Sequence, residues 1–179
     1  AEAARYLDGL TTAEGRFVQT DAAGRKVAGS FWIQRPGRAR FDYDPPSGLM
    51  IASDGRLVTV ENTRLKTIQN YPLGMTPLSI FLARDIRFDR SVMVRSVAAT
   101  DAGFAITAAE RRAPSRGRIT LDFSRAPLAL TGWALTDARG QTVTVRLTHL
   151  ARAAPKPKAF FDIGEPGSMG VSDASAPQT

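Results

Sequence analysis

Apolar side chains recur at every second position through most of this chain. Ile119, Leu121 and Phe123 are interleaved with Thr120 and Asp122, and Val143, Val145 and Leu147 with Thr142, Thr144, Arg146 and Thr148. A period of two puts alternate side chains on opposite faces of a strand, so one face is buried and the other wet. Antiparallel sheets solvated on one side produce that signature. The same reading predicts strands at residues 15–20, 27–34, 39–43, 49–52, 57–61, 64–69, 92–98, 104–108, 119–123, 128–135 and 142–150, with 160–163 as a candidate last strand. Short turn-forming links separate them, among them Ser53-Asp54-Gly55 and the rigid Asp44-Pro45-Pro46 turn.

The period changes in two places. Residues 3–10 read as a short helix with Leu7 and Leu10 on one side. Residues 74–84 carry a helix start, with Thr76 as the N-cap and Pro77 as the first helical residue. Leu78, Phe81 and Leu82 then fall on one stripe. So short a helix is marginal unless it covers something. The expected fold is mainly β, one domain over residues 1–165. A single large curved antiparallel sheet of about ten or eleven strands forms an incomplete β-barrel, with short helices as a lid over an apolar cavity. Residues 166–179, rich in Gly, Ser, Ala and Pro, are expected to be a flexible tail.

The inner face of that sheet is the candidate site. Phe17, Phe31, Ile33, Phe41 and Tyr43 from the strands, with Leu78, Phe81 and Leu82 from the helix, are the candidate ligand contacts. Two readings stay open: these side chains fill the face as a core, or they leave room for an apolar ligand. The size of the apolar set against two short helices favours a cavity. Arg35 shares the face of Phe31 and Ile33, just before Pro36-Gly37 ends the strand. A charge there is expensive unless it is paired or used.

Composition removes most catalytic chemistry. The chain has no cysteine, so disulfides, thiolate metal sites, a cysteine nucleophile and an acylated N-terminal cysteine are all excluded as expectations. His149 is the sole histidine and reads as a hydrogen-bonded strand residue. Asp42 and Asp44, and likewise Asp85 and Asp89, read as partners in surface salt bridges. No phosphate loop, nucleophile elbow or zinc-protease motif is present. The expectation is a binding protein, not an enzyme, with no cofactor and no metal. The net charge of +7 is scattered over patches such as Arg35-Arg38-Arg40, Arg111-Arg112 with Arg116-Arg118, and Lys156-Lys158. None matches a nucleic-acid module, so no nucleic-acid partner is expected. Ala1-Glu2-Ala3-Ala4 reads like the residues after a small-residue cleavage site.

Residues 6–163 resemble the periplasmic outer-membrane lipoprotein carrier family, the LolA family. The matching pieces are residues 10–19, residues 29–38 from Gly29 to Arg38, Tyr43-Asp44-Pro45-Pro46, Ser53-Asp54-Gly55, Gly74-Met75-Thr76-Pro77-Leu78 and residues 137–141. The resemblance implies an incomplete antiparallel barrel closed on one side by helices. It also implies a monomeric periplasmic carrier of acylated lipoproteins. Cargo would come from an inner-membrane ABC-transporter release complex and pass to an outer-membrane lipoprotein acceptor. Arg35 matches an arginine that, in the family, holds the lid helices closed; on this chain the expected acceptors are backbone carbonyls near the helix at 76–82. Two departures stand out: Ala39 is small where the family often has a larger apolar residue, and Phe160-Phe161-Asp162-Ile163 replaces the usual C-terminal pattern.

Overall fold

The computed structural model describes residues 2–76, 78–84 and 92–164. Helix α1 (Glu2–Gly9) precedes strands β1 (Thr12–Thr20), β2 (Lys26–Gln34), β3 (Arg38–Tyr43), β4 (Leu49–Asp54), β5 (Leu57–Asn62) and β6 (Thr67–Pro72). Helix α2 (Leu78–Phe81) follows, then β7 (Val92–Ala99), β8 (Gly103–Glu110), β9 (Gly117–Arg125), β10 (Leu128–Asp137) and β11 (Thr142–Arg152). All eleven strands lie in one sheet, ordered β6-β5-β4-β3-β2-β1-β11-β10-β9-β8-β7. Neighbours are antiparallel throughout. The sheet is open rather than a closed barrel, with β6 and β7 at its edges. Two meanders, β1–β6 and β7–β11, meet at a single ladder between β1 and β11. Register shifts at Arg16/Phe17, Leu130/Gly132 and Val94/Ser96 bend the strands.

Size complementarity sets the inner face. On β2, Phe31 stands opposite Gly15 of β1 and Phe41 of β3. Phe17 stands opposite Gly29, where a Cβ would come within 2.8 Å of the Phe17 ring. The missing side chain lets the ring lie across its neighbour. Ile33 sits between Ala13 and Ala39, so the small residue at 39 makes room for the branched one. From this row the rings continue to Trp133, 6.4 Å from Phe31 and 5.2 Å from Phe81. Both helices pack here: α1 buries Ala3 and Leu7 and sets the Tyr6 ring edge-on to Phe123, while α2 buries Leu78, Ile80 and Phe81.

Three local expectations are corrected. The sixth strand starts at Thr67 rather than 64, because Asn62 Oδ1 accepts from the Arg64 and Leu65 amides and closes a turn there. The helix over 76–82 is one turn, and the Thr76 hydroxyl donates to the Leu73 carbonyl (2.9 Å), closing the preceding 3₁₀ turn Leu73–Met75 instead of capping α2. Pro77, Asp85, Asp89 and the expected tail at 166–179 lie outside the described residues. Residues 160–163 are not a strand: Lys158–Phe161 is a 3₁₀ turn following Pro155 and Pro157, which cannot donate to a ladder. This segment crosses the outer face. Its Lys156 amide donates to Gln34 Oε1 (2.8 Å), and Arg40 Nη1 donates to the Phe160 carbonyl (3.0 Å). The Phe160 ring meets Trp32 at 5.0 Å, and Gly164 ends beside Thr59 of β5 and Ile68 of β6.

Phe31 is wholly buried among Phe17, Phe41 and Trp133. Phe31→Ala is expected to lower unfolding free energy by about 3–5 kcal/mol, read as a reduced midpoint in urea at unchanged slope.

Candidate functional site

The helices fill one part of the inner face and leave the rest empty. A cavity of about 620 Å³ remains between β3–β4 on one side and β10–β11 on the other. Its size lies in the range of roughly 300–1,000 Å³ common for ligand sites. Phe41 and Tyr43 of β3, Leu49 and Ile51 of β4, Trp133 and Leu135 of β10, and Val143 and Val145 of β11 form the walls, and Leu78 of α2 reaches in from the lid. The inner face is therefore not wholly filled by its own side chains.

The expected contacts divide in two. Phe41, Tyr43 and Leu78 line the cavity. Phe17, Phe31, Ile33, Phe81 and Leu82 do not; each is at most 1% exposed, in the packed core beneath the helices. Sequence reasoning missed Leu49, Ile51, Trp133, Leu135, Val143 and Val145. The signal was present in the register. Trp133 faces Val145 and Leu135 faces Val143, and Val145 in turn faces Gln19 of β1.

The mouth is polar and internally satisfied. Asp21 Oδ1 accepts from the Ala23 and Arg25 amides (2.9 Å each), and Oδ2 accepts from Arg25 Nε. The Arg25 amide, with the rest of this turn, holds the Asp21 carboxyl below its ordinary range. Asp137 Oδ1 accepts from the Arg139 and Gln141 amides in the facing turn. Within the mouth the Tyr43 hydroxyl donates to Gln19 Oε1. Burial pushes the Tyr43 phenol above its usual range, so it stays a neutral donor.

Arg35 lies at the opposite, closed part of the face, 8% exposed. Its Nη1 donates to the Leu7 carbonyl near the end of α1, which also accepts from the Leu10 amide. The acceptor is thus on α1, not on the helix at 76–82 that the sequence pointed to. Arg35 meets α2 through a ring, with its guanidinium carbon 5.0 Å from the Phe81 centroid. The Gly37 amide, two residues on, donates to the Leu82 carbonyl at 2.8 Å. Among the described residues, neither Nε nor Nη2 of Arg35 has a hydrogen-bond partner. Burial draws the Arg35 pKa down to about 10, and the Asp8 charge opposes that shift.

The other polar residues singled out in the sequence have ordinary surroundings where they are described. Asp42 pairs with Arg40 (2.8 Å) and Asp44 with Arg16, so the two carboxylates are tied to separate cations. His149 is exposed. Among the described residues no group of three His, Cys, Asp or Glu side chains could hold a metal, and no helix is long and apolar enough to cross a membrane.

Comparisons with known proteins agree with this geometry. The model of the family described as outer membrane lipoprotein carrier protein LolA matches residues 8–163. The chain is 29% identical to the outer-membrane lipoprotein carrier protein of Alkalilimnicola ehrlichii, across 100% of this chain and 86% of that one. It is likewise 29% identical to the protein of the same description from Methylobacillus flagellatus, across 87% and 78% of the two chains. Among solved structures, a LolA superfamily protein of Nitrosomonas europaea matches with a TM-score of 0.50 at 11% identity, covering 89% of this chain and 96% of that one. That likeness shows a shared fold.

Val143→Trp is expected to fill the cavity and weaken uptake of an apolar fluorescent probe about tenfold or more. Its thermal midpoint should stay at or above that of the parent chain. The reverse pattern, a lowered midpoint with uptake intact, would place the binding surface elsewhere.

Proposed function

Because this chain belongs to the LolA family of outer membrane lipoprotein carrier proteins, we propose that it ferries acylated lipoproteins through the periplasm with their acyl chains in the cavity between β3–β4 and β10–β11. The family is one of carriers, not enzymes. The observation that carries the reading is an apolar-walled cavity with Leu78 of α2 reaching into it and a polar mouth. Each methylene shielded from water is worth roughly 0.8 kcal/mol, so long acyl chains cannot cross an aqueous space unprotected. Hydrocarbon walls supply the shielding. The self-satisfied turns at the mouth tolerate water and the peptide that follows the lipid.

A carrier must also let go, and Arg35 suits that step. In the closed form its guanidinium is desolvated, donates one hydrogen bond to Leu7 and, among the described residues, leaves two nitrogens without partners. Lifting α1 returns those donors to water, so the desolvation cost of closure offsets part of the apolar gain. Open and closed lids then lie close in free energy, and cargo can shift the balance. Entering acyl chains displace the helices, and reclosure around Arg35 expels them. In this scheme an inner-membrane ABC-transporter complex loads the carrier, and an outer-membrane acceptor unloads it.

Mass spectrometry of material co-purified from a periplasmic extract tests the cargo: triacylated lipoprotein is expected, and phospholipid alone would reject it. Arg35→Leu is expected to retain cargo acceptance while slowing transfer to the acceptor about tenfold or more, on the order of 1.4 kcal/mol in the closed–open balance. Unchanged transfer would remove the latch.

The depressed Arg35 pKa fixes the sign of a second effect. The folded chain binds the proton less tightly than the unfolded chain, so the charge costs stability at all pH values below about 10 and the cost is relieved only above that. Arg35→Leu should therefore not lower the thermal midpoint at neutral pH, and differential scanning calorimetry checks this.

A further inference from the structure

We propose that Gln19 and Tyr43 form a carbonyl-binding station just inside the cavity mouth, and that the ligand held there carries an ester or amide carbonyl at the head of its hydrocarbon chain. Both residues line the cavity, Gln19 at the end of β1 and Tyr43 at the end of β3. Gly29 on β2 is opposite Phe17 and Tyr43, and its missing side chain lets those rings meet edge to face at 5.2 Å. The Tyr43 ring is thereby fixed, and its hydroxyl donates to Gln19 Oε1. A carboxamide has one acceptor atom and two N–H donors. Here the acceptor is engaged, and among the described residues no protein acceptor takes the Nε2 hydrogens.

Of the other polar groups that line the cavity, Arg25 and Gln141 are exposed to solvent at the mouth. Asp21 and Asp137 accept amides of their own turns, and Thr136 shares a hydrogen bond with Thr142. The Gln19 amide is the donor held beside hydrocarbon, with Val145 directly across the ladder. An oriented donor beside an apolar wall selects an acceptor that is itself joined to an apolar chain. A bare hydrocarbon filling the same space would leave that donor unmet, which disfavours it. An acyl carbonyl meets the requirement and sends its chain toward Trp133 and Leu78.

The station rests on the acyl-carrier reading and adds to it. It says which end of the chain sits at the mouth and that acyl linkage is recognised as well as chain length. The test compares a short-chain diacylglycerol with its dialkyl ether of equal chain length by calorimetric titration. The ether keeps the chains and lacks the carbonyls. The parent chain should prefer the ester about fivefold, the affinity equivalent of one net hydrogen bond. Gln19→Met should bring the ratio to about one. Tyr43→Phe keeps the ring against Phe17 but frees the carboxamide, so it should reduce the ratio as well. Equal binding of the two ligands by the parent chain, or a preference that survives Gln19→Met, overturns the station while leaving the carrier reading intact. Binding of neither ligand overturns both.

Discussion

Eleven strands present one continuous apolar face, and among the described residues helices of eight and four residues cover it from within. That disproportion governs the rest of the molecule. Where the helices lie, rings and branched chains pack to completion, as at Phe31, Phe81 and Leu82. Beyond Leu78, among the described residues, the same kind of side chain lines a cavity instead. Core and cavity are thus one surface with two fates, decided by the reach of a single helical turn. A longer α2 would turn a carrier into an ordinary filled sheet protein.

Arg35 belongs to the filled part yet behaves differently from its neighbours. Phe31 and Ile33 gain from burial, whereas the guanidinium gains only partly, through the Leu7 carbonyl and the Phe81 ring. It sits between both helices, touching α1 through a carbonyl and α2 through a ring. The opposite end of the same face carries the Gln19–Tyr43 pair, where polarity is also present but lies on the cavity wall.

Most of the sheet was legible because a period of two survives tertiary context: every strand from β1 to β11 has its counterpart in the alternation. Residues 160–163 misled the reading because Phe161 and Ile163 alternate like a strand. They are buried against the outer face instead, after prolines that forbid a ladder. The site was less legible than the fold. Alternation assigns a side chain to the inner face but not to a place along it, so Phe17 and Tyr43 look alike although one lies in the core and the other on the cavity. Trp133 and Val145 escaped notice because their part in the cavity depends on β11 pairing back to β1, a contact across more than a hundred residues of chain. The same limit hid the Arg35 acceptor: a strand end next to two helices does not say which one it touches.

The β1–β11 ladder has a mechanical consequence. The lips of the mouth belong to different meanders, β3–β4 to one and β10–β11 to the other, and this ladder is where the two are hydrogen-bonded together. The stretch after β11 returns over the outer side to β5 and β6. Flexing about that seam, where the register already shifts at Arg16/Phe17, widens or narrows the gap between the lips. A load on the outer surface of either meander therefore reaches the cavity walls through that one ladder, without entering the cavity.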